Sequence, residues 1–215
     1  MLSKLLALTF QCILVCRSVP PPGASKVCRT RLRKTEGLIP AFFIYTSKFL
    51  TIEASVFCLS YIYLLFHQQN NPSTNAIPLK TWTPGDVVSF LLIVLGSALR
   101  IYSIKTLANY FTCNVEVQKD HKLVTIGPYK YIRHPSYIGA TLVSVGLGHF
   151  LFRMLVVVSE DWIPKEFRVI VFWLMMGFAT LAIITFNVWI LFWRVRLEEN
   201  TLKAHFGKEW DMYAK

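Results

Sequence analysis

Charge is what this sequence has least of: 16% of its 215 residues are Asp, Glu, Lys or Arg, against 54% hydrophobic. Soluble globular domains carry about 25% charged residues, so this is not the composition of a water-surrounded fold. Acid is scarcer than base, with 12 Asp and Glu against 23 Lys and Arg and a formal net charge of +11. Nucleic acid is not the implied partner, because the basic residues are divided among loops between apolar runs. There they read as topology signals and contacts to anionic membrane lipid. Cysteine is sparse and odd in number (Cys12, Cys16, Cys28, Cys58, Cys113), with no C-x-x-C pair. That argues against a disulfide framework and against a zinc site, and no metal is expected. Period-two alternation over many short segments is missing, which argues against a transmembrane barrel. There is no internal repeat and no separate soluble stretch.

What is there is a series of long apolar segments, with a mean hydropathy of +0.45 for the whole chain. Four or five of them approach the roughly 20 residues a helix needs to cross a bilayer. The expected fold is an all-α integral membrane protein with about five transmembrane helices, a cytosolic loop and a C-terminal helix. Residues 2–16 read as a signal peptide, a signal anchor or, preferably, a retained short first span, since a basic loop with Pro20-Pro21-Pro22-Gly23 follows. This divides the chain into an N-terminal part, 1–37, and a main membrane domain, 38–215. The second segment, from about Leu38 to Phe66, contains Lys48 and Glu53, read as polar helix–helix contacts. Thr83-Pro84-Gly85-Asp86 has the form of a helix start: Thr as cap, Pro at the first position, acid in the first turn. That helix runs to about Asn109, with Arg100 and Lys105 expected to snorkel to the interface. A Gly-rich segment comes next, from about Ser136 to Val158, then a charged turn over 159–167. The fifth segment runs from about Arg168 to Trp193. In the tail, Leu202, Phe206, Trp210 and Tyr213 recur at helical spacing, predicting an amphipathic helix on the membrane surface that Gly207 interrupts.

Loop charge sets the expected sidedness. The loops around 17–37 and 110–135 and the tail carry most of the Lys and Arg, so these share the cytosolic side and the N-terminus is lumenal. One stretch of this side is crowded with Gly, Pro, aromatic and basic residues: Leu123-Val124-Thr125-Ile126-Gly127-Pro128-Tyr129-Lys130-Tyr131-Ile132-Arg133-His134-Pro135-Ser136-Tyr137-Ile138-Gly139. Gly127-Pro128 predicts a turn, and His134-Pro135-Ser136 predicts a helix start whose free N–H groups suit an anion. The plainer alternative is an ordinary interface loop, where basic and aromatic residues gather anyway. On the same side lies Arg194-Val195-Arg196-Leu197-Glu198-Glu199, in which Arg194 and Glu198 share a helix face. Alone, that pair reads as a surface ion pair.

Taken together, the run LVTIGPYKYIRHPSYIG and the tail RVRLEENTLKAHFGKEWDMY resemble the isoprenylcysteine carboxyl methyltransferases, over about residues 85–213. These are integral membrane enzymes that use S-adenosyl-L-methionine. The resemblance implies that the central loop is a cofactor-binding loop and that loop and tail close over the cofactor together. The implied contacts are Gln118, His121, Lys122, Leu123, Val124, Tyr129, His134, Pro135, Ser136, Tyr137 and Glu198, with Arg194 on the acceptor side. Catalytic roles thus fall to Arg194 and Glu198. The linker between Gln118 and His121 is shorter than in the animal enzymes, and the usual Val-Pro-containing end after the Tyr is not in this sequence. The implied partners are membrane lipid and the prenylated C-terminal cysteine of small GTPase-like or other CaaX proteins. The implied location is the endoplasmic reticulum membrane, with the site facing the cytosol.

The chemistry suits these residues. A prenylcysteine α-carboxylate is already ionised at neutral pH, so methyl transfer needs alignment and exclusion of water more than a base. Arg194 suits a carboxylate, Glu198 accepts from hydroxyl or amino groups, and His134 at its helix start suits a second carboxylate. A phospholipid N-methyltransferase is the nearest alternative, but its protonated amine would require a base. A sterol reductase using NADPH usually has Arg-His-x-Asn-Tyr where this chain has Arg-His-Pro-Ser-Tyr. A non-enzymatic scaffold or carrier fits poorly with polar residues gathered at one membrane face.

Overall fold

A computed structural model describes residues 2–18, 55, 58–70, 79–111 and 122–214. Among the described residues there is no strand. Lys48, Glu53, Gln118 and His121, and most of the basic loop 17–37, lie outside them.

The principal helices are α1 (Leu2–Ser18), α2 (Pro84–Leu107), α3 (Pro135–Trp162), α4 (Lys165–Val188), α5 (Val195–Phe206) and α6 (Lys208–Tyr213). A further helical stretch covers 58–70. Helix α2 starts where its sequence signals it. The Thr83 hydroxyl accepts from the Asp86 amide at 3.3 Å, and the Asp86 carboxylate accepts from the Thr83 amide at 3.0 Å, a reciprocal capping box with Pro84 at the first position. Helix α3 likewise begins at Pro135, with His134 as its cap residue. By length and composition, Pro84–Leu107 and Pro135–Ser159 are apolar enough to cross a membrane.

Helices α2 and α3 form the backbone of the molecule, and glycine lets them touch. A Cβ on Gly96 would lie 2.7 Å from the Gly139 carbonyl oxygen, and one on Gly139 would lie 2.6 Å from that of Gly96. Gly146 meets Ile93 and the Ser89 carbonyl in the same way. Such small-residue contacts bring helix axes close where lipid supplies no hydrophobic drive. The core joins Leu8 and Val15 of α1, Tyr61, Leu64 and Leu65 of 58–70, Ile93 of α2, and Val143, Phe150 and Val157 of α3. Tyr61 meets Phe150 edge-on, ring centroids 5.8 Å apart.

Side-chain contacts fix the helix directions. Lys4 reaches Asp86 and the Ser18 carbonyl reaches Arg100, so α1 runs parallel to α2. Ser136 meets Arg100 and His149 meets Asp86, so α3 is antiparallel to both. Ser144 and Asn187 exchange hydrogen bonds, and Phe152 meets Phe172, so α4 returns alongside α3. Helix α4 is the outer member: Trp173, Leu174 and Phe178 are each about two-thirds exposed or more, at 67%, 68% and 77%. A helix apolar on its exposed side fits contact with lipid.

Three local expectations need correction. The turn expected over 159–167 is narrower, because α3 continues through Trp162 and the chain breaks only at Ile163-Pro164, where Pro both lacks a donor and restricts its predecessor. Arg100 does not snorkel outward; it turns into the protein onto Ser18 and Ser136. The tail is helical and does break at Gly207, which has φ +52°, but Trp210 is buried, so that stripe packs partly on protein.

Candidate functional site

The central turn is built by backbone chemistry first. Gly127 takes φ +59°, the left-handed region that favours glycine, and opens a 3-10 turn, Gly127–Lys130. A Cβ there would also crowd the Tyr102 hydroxyl and Thr106 Oγ1, both at 3.2 Å. The turn buries Pro128 and Tyr129. Burial pushes the Tyr129 phenol above its ordinary pKa, and the Glu198 charge adds to the rise, so the hydroxyl stays protonated at neutral pH. From the far end of the chain, the Tyr213 hydroxyl donates to the Tyr129 carbonyl at 2.7 Å. The last helix therefore clamps the central turn.

The first turn of α3 then meets the start of α5. Between α4 and α5 the chain passes through a π-helical segment, Trp189–Arg194. Such wide turns shift the angular register of the next helix and occur often at functional sites. Arg194 closes this segment, and its Nε donates to the Tyr137 hydroxyl at 2.9 Å. That hydroxyl donates onward to Glu198 Oε2 at 2.6 Å. Tyr137 therefore stands between the two residues that the sequence pairs on one helix face. Its ring stacks on His134, centroids 5.7 Å apart and planes 19° from parallel.

The neighbouring acid completes the closure. Glu199 Oε1 lies 3.1 Å from His134 Nε2 and 3.0 Å from Arg133 Nη1. Two consecutive acids on α5 thus face two consecutive bases ahead of α3. Glu198 Oε1 carries no hydrogen bond among the described residues, which leaves an acceptor open beside His134 and Tyr137.

Of the residues expected at the site from the sequence, His134, Tyr137, Arg194 and Glu198 come together, and Tyr129 is buried within the central turn. Pro135 is fully buried at the first position of α3. Ser136 faces Arg100, with its hydroxyl and carbonyl oxygens at 2.9 and 3.2 Å from Nη1. Lys122, Leu123 and Val124 lead into the turn without regular structure, Lys122 exposed and the other two half-buried. Arg100, Arg133, Glu199 and Tyr213 were not among the expected site residues. The Arg133-His134 and Glu198-Glu199 dipeptides carried a readable signal, basic residues on one side and acids on the other; Arg100 and Tyr213 carried none, because their partners are mostly main-chain carbonyls.

Comparison with known proteins bears out the resemblance read from the sequence. The model of the Isoprenylcysteine carboxyl methyltransferase (ICMT) family matches residues 88–160. Protein-S-isoprenylcysteine O-methyltransferase B of Arabidopsis thaliana is 32% identical over 127 residues, 58% of this chain and 52% of that protein. The Saccharomyces cerevisiae protein-S-isoprenylcysteine O-methyltransferase is 29% identical over 130 residues, 59% of this chain and 44% of its own. The Homo sapiens enzyme of that name is 38% identical over 68 residues, 31% of this chain and 23% of its own. The chain spans about half the length of the curated relatives first matched. No solved structure matches.

Proposed function

We propose that this chain transfers a methyl group from S-adenosyl-L-methionine to the C-terminal carboxylate of a prenylated cysteine, in CaaX-processed proteins of the small GTPase-like or other kinds. The observation that carries the reading is the Arg194–Tyr137–Glu198 hydrogen-bond chain, in which a guanidinium and a carboxylate meet one half-buried hydroxyl at 2.9 and 2.6 Å. The similarity to proteins named for that activity supports it.

Bound S-adenosyl-L-methionine supplies an electrophilic methyl on a sulfonium. The residues present fit such a molecule. Glu198 Oε1, open beside the Tyr137–His134 stack, accepts from hydroxyl or amino groups. His134 and the first turn of α3 would receive a carboxylate of that molecule. Arg194 orients the acceptor carboxylate, and its Nε bond to Tyr137 fixes the plane of the guanidinium. The acceptor is ionised at neutral pH, so the chain supplies alignment and a dry site instead of a base. The apolar prenyl chain enters from the bilayer beside the helices, which gives a physical reason for embedding the enzyme in a membrane. The loop-and-tail side faces the cytosol by loop charge, in the endoplasmic reticulum membrane.

The test is transfer of labelled methyl from S-adenosyl-L-methionine to a farnesylated cysteine analogue by purified protein. Arg194→Ala is expected to lower transfer by roughly 100-fold or more while donor binding persists. Equal transfer to phosphatidylethanolamine, or none to prenylcysteine, would replace this reading with phospholipid N-methylation.

A further inference from the structure

We infer that Arg100 is a positioning residue that ties the N-terminal helix α1 to the first turn of α3, and so makes α1 part of the support of the candidate site. Its Nε donates to the Ser18 carbonyl at 2.6 Å, the last residue of α1. Its Nη1 donates to the Ser136 hydroxyl at 2.9 Å and to the Ser136 carbonyl at 3.2 Å. Ser136 is the residue before Tyr137, whose hydroxyl bridges Arg194 and Glu198. One planar guanidinium therefore joins a helix end to the turn that aims the bridging tyrosine.

Further facts give this bond its meaning. A helix end leaves its last carbonyls without partners, and Arg100 supplies a charged donor to one of them. The Gly96–Gly139 contact lies one turn from the Arg100–Ser136 bond on both helices, so close backbone approach brings the two groups within reach. At its other end α1 is held by Lys4, whose buried ammonium lies 2.8 Å from Asp86 Oδ2 and 2.8 Å from the Thr81 carbonyl oxygen. Lys4 to Ser18 and Asp86 to Arg100 are the same distance in sequence, so α1 is pinned in register with α2 at both ends. The matched family segment begins only at residue 88, so α1 lies outside it. Among the described residues Arg100 bonds neutral oxygens alone, and no carboxylate pairs with it. A Lys in its place keeps the charge, but one ammonium cannot occupy both the Nε and the Nη1 positions.

The experiment compares wild type with Arg100→Lys and Arg100→Gln in the full chain, reconstituted in lipid nanodiscs. Hydrogen–deuterium exchange is read over 134–140 and over α1, and methyl-transfer kinetics are read in parallel. Both variants are expected to exchange faster over 134–140 and over the last turn of α1, with exchange in α4 unchanged. The kinetic part rests on the proposed methyl transfer: kcat is expected to fall roughly 10- to 100-fold in both variants, with KM for the donor changed less than about threefold. Wild-type exchange over 134–140 in Arg100→Lys would overturn the inference, since charge alone would then suffice. So would a uniform rise in exchange with unchanged kcat, which describes general destabilisation. Absence of methyl transfer by the wild type would defeat the functional reading and leave the exchange result to decide this one.

Discussion

Tyr137 gains its importance from a single oxygen. The hydroxyl accepts from Arg194 and donates to Glu198, while the ring stacks on His134. Tyr137→Phe keeps the ring and removes the bridge, so the mutant is expected to fold normally and, for the proposed methyl transfer, to lose about 10- to 100-fold in kcat, the range for a misaligned reacting group. Steady-state kinetics beside a melting curve check this, and unchanged kcat would show the bridge to be idle. Glu198 and Glu199 divide their work differently. Glu198 keeps one oxygen open, whereas Glu199 is engaged by both Arg133 and His134. Glu198→Gln is therefore expected to weaken binding of the proposed methyl donor, measured by calorimetry, more than Glu199→Gln does. Comparable losses for the two would contradict that division.

At the scale of elements, the α2–α3 contact decides what the site residues can reach. Gly96 and Gly139 let the backbones meet, and Arg100 then spans to Ser136. Gly96→Ala places a methyl 2.7 Å from the Gly139 carbonyl oxygen and 2.8 Å from Leu142 Cβ. Overpacking of that kind costs about 1–3 kcal/mol, and the helices must move apart to relieve it. The expected outcome is a lower melting temperature together with lost activity. Gly177 on α4 is the control, with nothing within 4 Å of its would-be Cβ. Gly177→Ala is expected to be neutral or to stabilise by up to about 1 kcal/mol through helix propensity. Equal effects of the two substitutions in thermal denaturation would refute close packing as the cause. The π-helical segment Trp189–Arg194 acts at the same scale, since it lies between α4 and the helix that carries Glu198 and so shifts the angular register of α5 relative to α4.

At the scale of the whole molecule, the two ends of the bundle are built differently. One end holds the candidate site. The other holds a buried charge cluster in which Asp86 receives Lys4 at 2.8 Å, His149 at 3.0 Å and Arg153. Asp86 and Arg153 are separated in sequence by most of two helices, and Lys4 comes from α1, so the cluster ties α1, α2 and α3 together. Removing the shared acid takes from Lys4 and Arg153 the carboxylate they have in common, whereas removing Lys4 leaves Asp86 with Arg153 and His149. Asp86→Asn is therefore expected to cost about 3–5 kcal/mol and Lys4→Met distinctly less. Chemical denaturation in detergent measures both, and the reverse order would refute the shared-acid arrangement.

Much of this protein was legible along the chain because the relevant forces are local. Apolar length marked α2 and α3, the Thr83–Asp86 capping box marked where one begins, and Gly127 marked a turn that needs a positive φ. Loop charge put the His134 loop and the Arg194–Glu199 tail on one side, and at one end of the bundle they indeed meet. Tertiary structure alone decided that Tyr137 stands between Arg194 and Glu198, that Arg100 turns inward, and that Lys4 is buried on Asp86. Those arrangements depend on helix register and on how closely two backbones approach. Periodicity tells which face of a helix is apolar; it carries no information about which neighbour that face will meet, or at what height.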